Sequence, residues 1–146
     1  MSAKGSRPER GDAERFRTTR SAHRDETAED YTEAIMQLVE RRGEARVRDL
    51  AAMMGVSHVT VSRILGRLHE CGLVETAPYK PVTLTAEGRR MAAAAQRRHV
   101  VVLEFLVALG VKPDQAEIDA EGIEHHVSDA TIRAMQRHTA RLRRDG

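Results

Sequence analysis

The chain has 146 residues, enough for one domain or two small ones with a hydrophobic core. Hydrophobic residues make up 40% of it and aromatic residues only 3%, so the core must be built from aliphatic side chains. The single cysteine, Cys71, excludes an internal disulfide, fits a reducing compartment and is expected to be buried. No apolar stretch reaches membrane-spanning length and no signal-peptide core is present, so we expect a cytoplasmic protein without a membrane partner.

Positive charge is concentrated near the N-terminus, although the formal net charge of the whole chain is only +2. The first 24 residues contain seven Lys or Arg and three acidic residues, a local net charge of +4. Because this segment is polar and poor in apolar side chains, we predict a flexible basic arm over residues 1–26. The first helix should begin at Thr27, bury Tyr31 and Ile35, and end at Gly43.

The next segment has the pattern of a helix-turn-helix followed by a wing. A short helix from about Val47 should end at Gly55, and Ser57 should cap a second helix that runs to about Glu70. Two short strands around residues 78–81 then predict the hairpin of a winged helix. The predicted core of the two helices comprises Leu50, Ala51, Met54, Val56, Val61, Ile64, Leu65 and Leu68.

The second helix carries the side chains that a DNA-reading helix needs. Arginine can donate two hydrogen bonds to a guanine edge, and Ser, Thr and His suit phosphates or bases. No acidic residue interrupts the helix from Ser57 to His69, so double-stranded DNA is the predicted partner. A surface helix and a turn that are polar only for solubility are the plainer interpretation. The predicted contact residues are Ser57, His58, Thr60, Arg63 and Arg67 on the helix, and Tyr79 and Lys80 at the wing tip.

A long helix is predicted from Thr85 to about Leu109. Its second half is apolar on nearly every side, so it must be covered, and a second copy of the chain is the expected cover. Pro113 should begin an acidic helix, and Ser128 should cap a final amphipathic helix.

The predicted fold is therefore mainly α. A winged helix-turn-helix of three helices and a two-stranded wing should occupy residues 27–90. An all-α dimerisation and metal-binding domain should follow at residues 91–142, with a short tail at 143–146 and the long helix, about 85–109, shared by both domains.

The segment from Asp114 to Asp129 holds six acidic residues and no Lys or Arg. In a helix, Glu121, Glu124 and His125 stand at i, i+3 and i+4 and project from one face. Like charges so placed repel each other, whereas a divalent cation binds carboxylate oxygens and a neutral imidazole favourably. An acidic helix that faces solvent is the plainer interpretation.

Two other places in the chain offer ligands of the same kind. Asp30 and Glu33 lie three residues apart on the first helix, and His99 precedes the most apolar part of the long helix. The pattern EGIEHH matches neither HExxH nor HxxEH, and the chain has neither a phosphate-binding glycine loop nor a nucleophile elbow. We therefore predict no enzymatic activity and no small-molecule substrate.

Together these motifs resemble the manganese transport regulator branch of the diphtheria toxin repressor family of metal-dependent transcriptional regulators. The resemblance extends from about residue 29 to residue 127. It rests on EDYTEAI, GEARVRDLA, GVSHVTVSRILGRL, VTLTAEG, RRHVVVLEFL and, most specifically, DAEGIEHHVS.

The resemblance implies a homodimer of winged helices that binds an inverted-repeat operator when one or two Mn(II) ions per subunit are bound. The iron-responsive branch has sulfur ligands where this chain has Asp30 and Glu124, and oxygen ligands favour Mn(II) over thiolate-preferring metals. We therefore expect a Mn(II)-dependent repressor of manganese-uptake genes, with the metal as corepressor. The implied ligands are Asp30, Glu33, His99, Glu121, Glu124 and His125.

Two alternatives remain open at this point. An iron- or zinc-responsive regulator of the same family is possible because the Irving–Williams order runs against Mn(II). The other alternative is a metal-independent winged-helix protein whose acidic helix binds a protein partner. The resemblance assigns no role to the basic arm.

Overall fold

The computed structural model describes residues 10–146, and within this part the chain has the mainly α architecture that was predicted. Six helices and one two-stranded antiparallel sheet are found among the described residues. In chain order they are α1 (Arg10–Arg42), α2 (Val47–Met54), α3 (His58–Glu70), β1 (Val74–Glu75), β2 (Thr83–Leu84), α4 (Ala86–Ala108), α5 (Pro113–Ile123) and α6 (Asp129–Asp145).

Helix α1 is longer than predicted, and the predicted start at Thr27 is wrong. The helix begins at Arg10 and runs without a break to Arg42. Neither glycine nor proline occurs from residue 12 to residue 42, so nothing in the backbone interrupts the helix. A polar composition argues against a buried core but does not prevent a helix. Residues 1–9 of the predicted arm lie outside the described residues.

The helix-turn-helix has the predicted caps. Helix α2 ends at Gly55, whose φ of 67° is the left-handed conformation that glycine adopts without strain. The Ser57 hydroxyl accepts a hydrogen bond from the Thr60 backbone N–H at 3.1 Å and so caps α3. Val56 is exposed and not part of the core as predicted, because it lies in the turn, outside the inner faces of both helices.

One hydrophobic core joins α1 to the winged helix. Ile35 of α1, Leu50 of α2 and Val61 of α3 are completely buried in it. Burial of each such side chain contributes about 1.5–3 kcal/mol to stability. Helix α1 is therefore part of the DNA-binding domain. Other members of this core are Tyr31, Leu38, Ala51, Ile64, Leu65, Leu68, Val74 and Val82.

The wing is fastened to the start of α4. Strand β1 pairs with β2, with Val74 opposite Leu84. The Thr85 hydroxyl donates to the Gly72 carbonyl oxygen at 2.6 Å and accepts from the Gly88 N–H at 3.1 Å. A Cβ atom at Gly88 would lie 2.0 Å from the Leu73 carbonyl oxygen, so only glycine allows this close approach.

Helix α4 packs against α1, α5 and α6 and so connects the two domains. Val100 and Val107 on α4, Leu109 at its C-cap and Ile118 on α5 remain exposed in the single chain, which agrees with the predicted cover by a second copy. Helix α6 continues to Asp145, so the predicted tail is mostly helical, since no glycine or proline precedes Gly146 in this segment. None of the described helices combines the length and apolarity that a membrane span requires.

Candidate metal centre and nucleic-acid interface

The acidic helix ends before Glu124 and His125. The predicted placing of these two residues on one face with Glu121 requires a helix that includes all three. Helix α5 stops at Ile123, Glu124 is its C-cap residue, and His125 lies in the turn that follows. The three side chains therefore do not share one continuous helical face. They belong instead to two neighbouring groups of possible ligands.

The first group, here called the His99 group, consists of His99, Glu121 and Glu124. The Nδ1 atom of His99 lies 2.8 Å from Oε2 of Glu124 and 3.5 Å from Oε1 of Glu121. One ligand atom from each residue lies within 4.8 Å of the other two, a spacing that suits coordination of one ion.

The second group, here called the His125 group, consists of Glu26, Asp30 and His125. The Nε2 atom of His125 lies 3.0 Å from Oδ1 of Asp30 and 3.2 Å from Oε1 of Glu124. Glu124 thus contacts both histidines, each through a different oxygen atom. This carboxylate connects the His99 group to the His125 group.

Glu33 lies close to this centre. Burial, and then the negative charge of Glu121, raise the pKa of the Glu33 carboxyl above its usual value, while His99 and His125 act in the opposite direction. The two groups thus contain five of the six predicted ligands, namely Asp30, His99, Glu121, Glu124 and His125, and Glu33 lies near enough for their charges to shift its pKa.

Each histidine also contacts an outer carboxylate that the sequence analysis missed. The Nε2 atom of His99 lies 2.9 Å from Oε1 of Glu117, and the Nδ1 atom of His125 lies 2.5 Å from Oε2 of Glu29. A carboxylate on the second ring nitrogen fixes the orientation of a metal-binding imidazole. The spacing of three or four residues was visible in the sequence, in the series Glu26, Glu29, Asp30, Glu33 on α1 and Glu117, Glu121, Glu124 on α5.

His126 and Glu26 form a further pair at the edge of the centre, with His126 Nε2 lying 3.3 Å from Oε2 of Glu26. His126 is exposed, whereas the His125 side chain is buried. His126 is not among the predicted ligands, and its contact with α1 suits a supporting position.

Several buried side-chain atoms of this centre have no hydrogen-bond partner among the described residues. The Glu124 side chain is only 1% exposed, and neither of its oxygens has a hydrogen-bond partner among the described residues. The same holds for Nδ1 of His99 and Nε2 of His125, which lie close to carboxylates without hydrogen-bonding geometry. An unsatisfied buried carboxylate is costly, so this arrangement calls for a cation.

The pKa values of the same groups reflect the crowding of negative charge. Burial raises the pKa of Glu124 to about 7. The adjacent carboxylates of Asp30 and then of Glu29 raise the pKa of His125 to about 10. Burial lowers the pKa of His99, but its hydrogen bond to Glu117 and the nearby carboxylates outweigh that effect and raise it.

The donor set fits a divalent metal ion. It contains carboxylate oxygens and imidazole nitrogens and no sulfur, which suits Mn(II) and also permits Fe(II) or Zn(II). Cys71 takes no part: it is exposed at the end of α3, and the prediction that it is buried was wrong because it caps the helix at the surface.

A groove of about 630 Å³ lies between α3 and the wing. Tyr79 at the wing tip is fully exposed, and Arg46 donates a hydrogen bond to its carbonyl oxygen at 3.4 Å. Arg46 and Arg48 are not among the predicted DNA contacts, because both precede α3, the predicted recognition helix. The polar and aromatic side chains along the groove are Arg46, Arg48, His58, Ser62, Thr76, Tyr79 and Lys80.

The predicted residues of α3 differ in accessibility. Arg63 and Arg67 are exposed, whereas Thr60 is half-buried and its hydroxyl accepts a hydrogen bond from Ser57 at 3.0 Å. The apolar Val59, at the start of α3, is 79% exposed and was not predicted as a contact. The face of α3 toward solvent thus combines guanidinium groups with one exposed methyl-bearing side chain.

A winged helix-turn-helix, joined through α1 and α4 to a buried centre of carboxylates and imidazoles, defines the class of metal-responsive DNA-binding proteins. The chain belongs to the diphtheria toxin repressor family, also called the iron-dependent repressors. Residues 25–82 match the iron dependent repressor N-terminal DNA binding domain, and residues 85–146 match its metal binding and dimerisation domain. The resemblance inferred from the sequence is therefore confirmed.

Characterised relatives and a solved structure agree with this assignment. The chain is 48% identical over 126 residues to the transcriptional regulator MntR of Escherichia coli O157:H7, covering 86% of this chain and 81% of the relative. It is 34% identical over 100 residues to the HTH-type transcriptional regulator MntR of Bacillus subtilis (strain 168), covering 68% and 70%. A manganese-dependent transcriptional repressor in complex with manganese superposes with a TM-score of 0.70 at 36% identity. That match covers 77% of this chain but only 52% of the solved chain, so the protein spans about half its length.

Proposed function

We propose that this chain is a Mn(II)-dependent DNA-binding transcriptional regulator that represses manganese-uptake genes, with the metal as corepressor. The observation that carries the proposal is the position of Glu124. Its buried carboxylate lies between His99 and His125 without a hydrogen bond among the described residues, where α1, α4 and α5 meet. A bound cation would satisfy both oxygens at once.

Metal binding would connect the two domains. Helix α1 belongs to the core of the winged helix through Tyr31 and Ile35, and the same helix carries Asp30, whose carboxylate lies 3.0 Å from His125, and the proposed ligand Glu33. The remaining ligands come from α4, α5 and the turn after α5. A cation supplies the positive charge and coordination bonds that hold these two sets of ligands together, so it selects one orientation of the winged helix.

A dimer would convert that orientation into DNA recognition. The exposed apolar side chains Val100 and Val107 on α4 and Leu109 at its C-cap supply a surface that a second copy can cover. Two reading helices related by a twofold axis match an inverted-repeat operator when they lie about 34 Å apart. Without metal, the carboxylates repel one another and the spacing varies more.

The number of ions is one or two per subunit in this proposal. The His99 group and the His125 group each offer ligand atoms within 4.8 Å of one another, and Glu124 is within reach of both. A bridging carboxylate of this kind supports two neighbouring ions as readily as one.

An iron-responsive regulator is the second candidate. Imidazole nitrogens bind Fe(II) as well as Mn(II), and the matched domains are described as those of iron-dependent repressors. The carboxylates of Asp30 and Glu124, together with the lack of sulfur in the two groups, favour Mn(II). The metal-independent alternative is weaker, because Glu124 and His125 point into the protein and not toward a protein partner.

The decisive experiment is DNA binding with and without each metal. Operators are first selected from a random library with Mn(II)-loaded protein, and an inverted repeat is the expected result. Affinity is then measured with Mn(II), Fe(II), Zn(II) or a chelator. For each metal, the free concentration that promotes tight DNA binding is compared with the free concentration of that metal in a cell. Mn(II) should have the lowest such ratio. DNA binding that is equally tight in chelator would overturn the proposal.

Two variants provide the matched comparison. Glu124→Gln removes the charge of the connecting carboxylate and should abolish the response to metal. Asp114→Asn removes a charge from the exposed first turn of the same helix and should leave the response intact. A loss of response in both variants would indicate that the general acidity of α5 matters and not the centre.

A further inference from the structure

A half-buried arginine on α4, Arg98, holds the turn that follows α5. Its Nε atom donates to the Glu124 carbonyl oxygen at 3.0 Å, and its Nη2 atom donates to the Val127 carbonyl oxygen. Its Nη1 atom pairs with Oδ1 of Asp129 at 2.7 Å. The Arg98 side chain is 21% exposed, so these contacts lie mostly away from water.

The chemistry of a helix end explains why an arginine suits this place. The last carbonyl groups of a helix have no partner inside the helix and need donors from elsewhere. A guanidinium group carries five N–H donors in a rigid planar fork, so one side chain can serve several acceptors. Arg98 thereby joins α4 to the end of α5 and, through Asp129, to the first turn of α6.

The turn held by Arg98 is the one that carries two ligands of the metal centre. Glu124 is itself a bonded residue, and His125 lies between Glu124 and Val127. His99, which faces the Glu124 carboxylate at 2.8 Å, is the next residue after Arg98 on α4. The distances between these three ligands therefore depend on the contacts that Arg98 makes.

Arg98 acts on the backbone and not on ligand atoms. Its acceptors are two carbonyl oxygens and the Asp129 carboxylate, whereas the Glu124 side chain is left to face His99 and His125. The positive charge of Arg98 is paired with Asp129 and does not replace a cation in the centre.

We infer that Arg98 is a positioning residue of the metal centre, which preorganises Glu124 and His125 for the ion and so sets the affinity for metal. This inference rests on the proposed function. Arg98 contributes no ligand atom, and its effect is to keep the turn in its binding geometry before metal arrives.

The test compares Arg98→Ala and Arg98→Lys with a matched control, Arg97→Ala. Arg97 is the exposed neighbour on the same helix, so its loss removes the same charge without touching the turn. Lysine keeps the charge but offers a single ammonium group that cannot reach three acceptors. Mn(II) affinity is measured by electron paramagnetic resonance of the free ion during titration.

Loss of a residue that orients metal ligands typically weakens affinity about 10- to 100-fold, and we expect that loss for Arg98→Ala. Arg98→Lys should recover little of it, and Arg97→Ala should match the wild type. Wild-type affinity in a folded Arg98→Ala protein would overturn the inference.

A second measurement uses the metal-free protein and separates this inference from the proposed function. Backbone amides of residues 124–128 should exchange hydrogen faster in Arg98→Ala than in wild type, while the winged-helix amides stay unchanged. If the wild type fails to bind Mn(II), the proposed function fails. Faster hydrogen exchange in Arg98→Ala than in wild type would still show that Arg98 holds the turn after α5. Equal exchange in this segment would refute it.

A purely structural role predicts a different pattern. It would lower the melting temperature equally with and without Mn(II) and leave the metal-induced rise in melting temperature unchanged. A positioning role reduces that rise. If Arg98→Ala does not fold, Asp129→Ala removes one of the three acceptors in a milder way, and an unchanged metal-induced rise in both Asp129→Ala and Arg98→Lys would contradict the inference.

Discussion

The winged helix and the metal centre differ in what they bury. The core of the winged helix consists of apolar side chains such as Ile35, Leu50 and Val61, while its charged residues face solvent. At the metal centre a carboxylate, Glu124, is fully buried, while apolar side chains of the same domain, such as Ile118 at 67% exposure, face outward. The winged helix, the first region, is therefore complete in the single chain. The second region becomes complete only with a cation inside it and a second copy against it.

The largest expected effect is on the core of the winged helix. Leu50→Ala should lower the free energy of unfolding by about 2–5 kcal/mol, because a buried leucine leaves a cavity. The loss should be the same with and without Mn(II), as measured by urea denaturation. Met53→Ala, at an exposed position of α2, should change the free energy of unfolding by less than about 0.5 kcal/mol. A large metal-dependent loss in Leu50→Ala would show that the two regions are not separable.

The next effect concerns DNA recognition by α3. Arg63→Ala should cost about 1–3 kcal/mol on the selected operator and relax base preference in saturating Mn(II). Lys80→Ala should weaken all sequences alike and reduce the slope of the salt dependence by about 1. Affinities from fluorescence anisotropy at several salt concentrations distinguish the two. Unchanged operator affinity in Arg63→Ala would exclude α3 as the reading helix.

The outer carboxylates should have an effect of intermediate size on the metal centre. Glu29→Gln weakens the contact with His125 Nδ1, so Mn(II) affinity should fall by about tenfold or more, while the DNA affinity of fully loaded protein stays the same. Glu40→Gln, at an exposed position further along α1, is the control. Equal Mn(II) affinities in the two variants would remove Glu29 from the centre.

Metal preference should change more than overall activation in Asp30→Met. A thioether replaces a charged oxygen that lies 3.0 Å from His125 Nε2, so the response to Mn(II) should weaken and Fe(II) or Co(II) should activate comparatively well. Titrations of operator binding against each metal give the ranking. An unaltered ranking would mean that Asp30 does not set selectivity.

The smallest expected effect belongs to the basic extension of α1. Arg17→Gln combined with Arg24→Gln removes two exposed positive charges, and DNA affinity should fall modestly at low salt and not at high salt. Metal affinity and stability should not change, since neither residue lies in the core. Equal DNA affinities at low salt would exclude a role of these two charges.

Much of this protein was already decided by its sequence, because the relevant interactions are local. Ser57, Thr85 and Ser128 cap the helices that follow them through hydrogen bonds to backbone N–H groups three residues away. The apolar residues around Leu50 and Val61, on two short helices joined by a turn at Gly55, predicted the helix-turn-helix for the same reason. The six predicted ligands follow from the motif EGIEHH and from the family that it indicates.

Only the tertiary structure decided how the ligands are grouped and held. His125 and Glu29 are 96 residues apart in the chain, and Arg98 and Glu124 are 26 apart, so no periodicity relates them. The contacts exist because α1 and α5 pack against α4, and helix packing places side chains to within a few ångströms only once the whole core is assembled. The end of α5 at Ile123 was missed for a related reason: the turn after it is held by Arg98, a donor on another helix. Local sequence thus specified the elements and the ligand types, whereas long-range packing determined which carboxylate meets which imidazole.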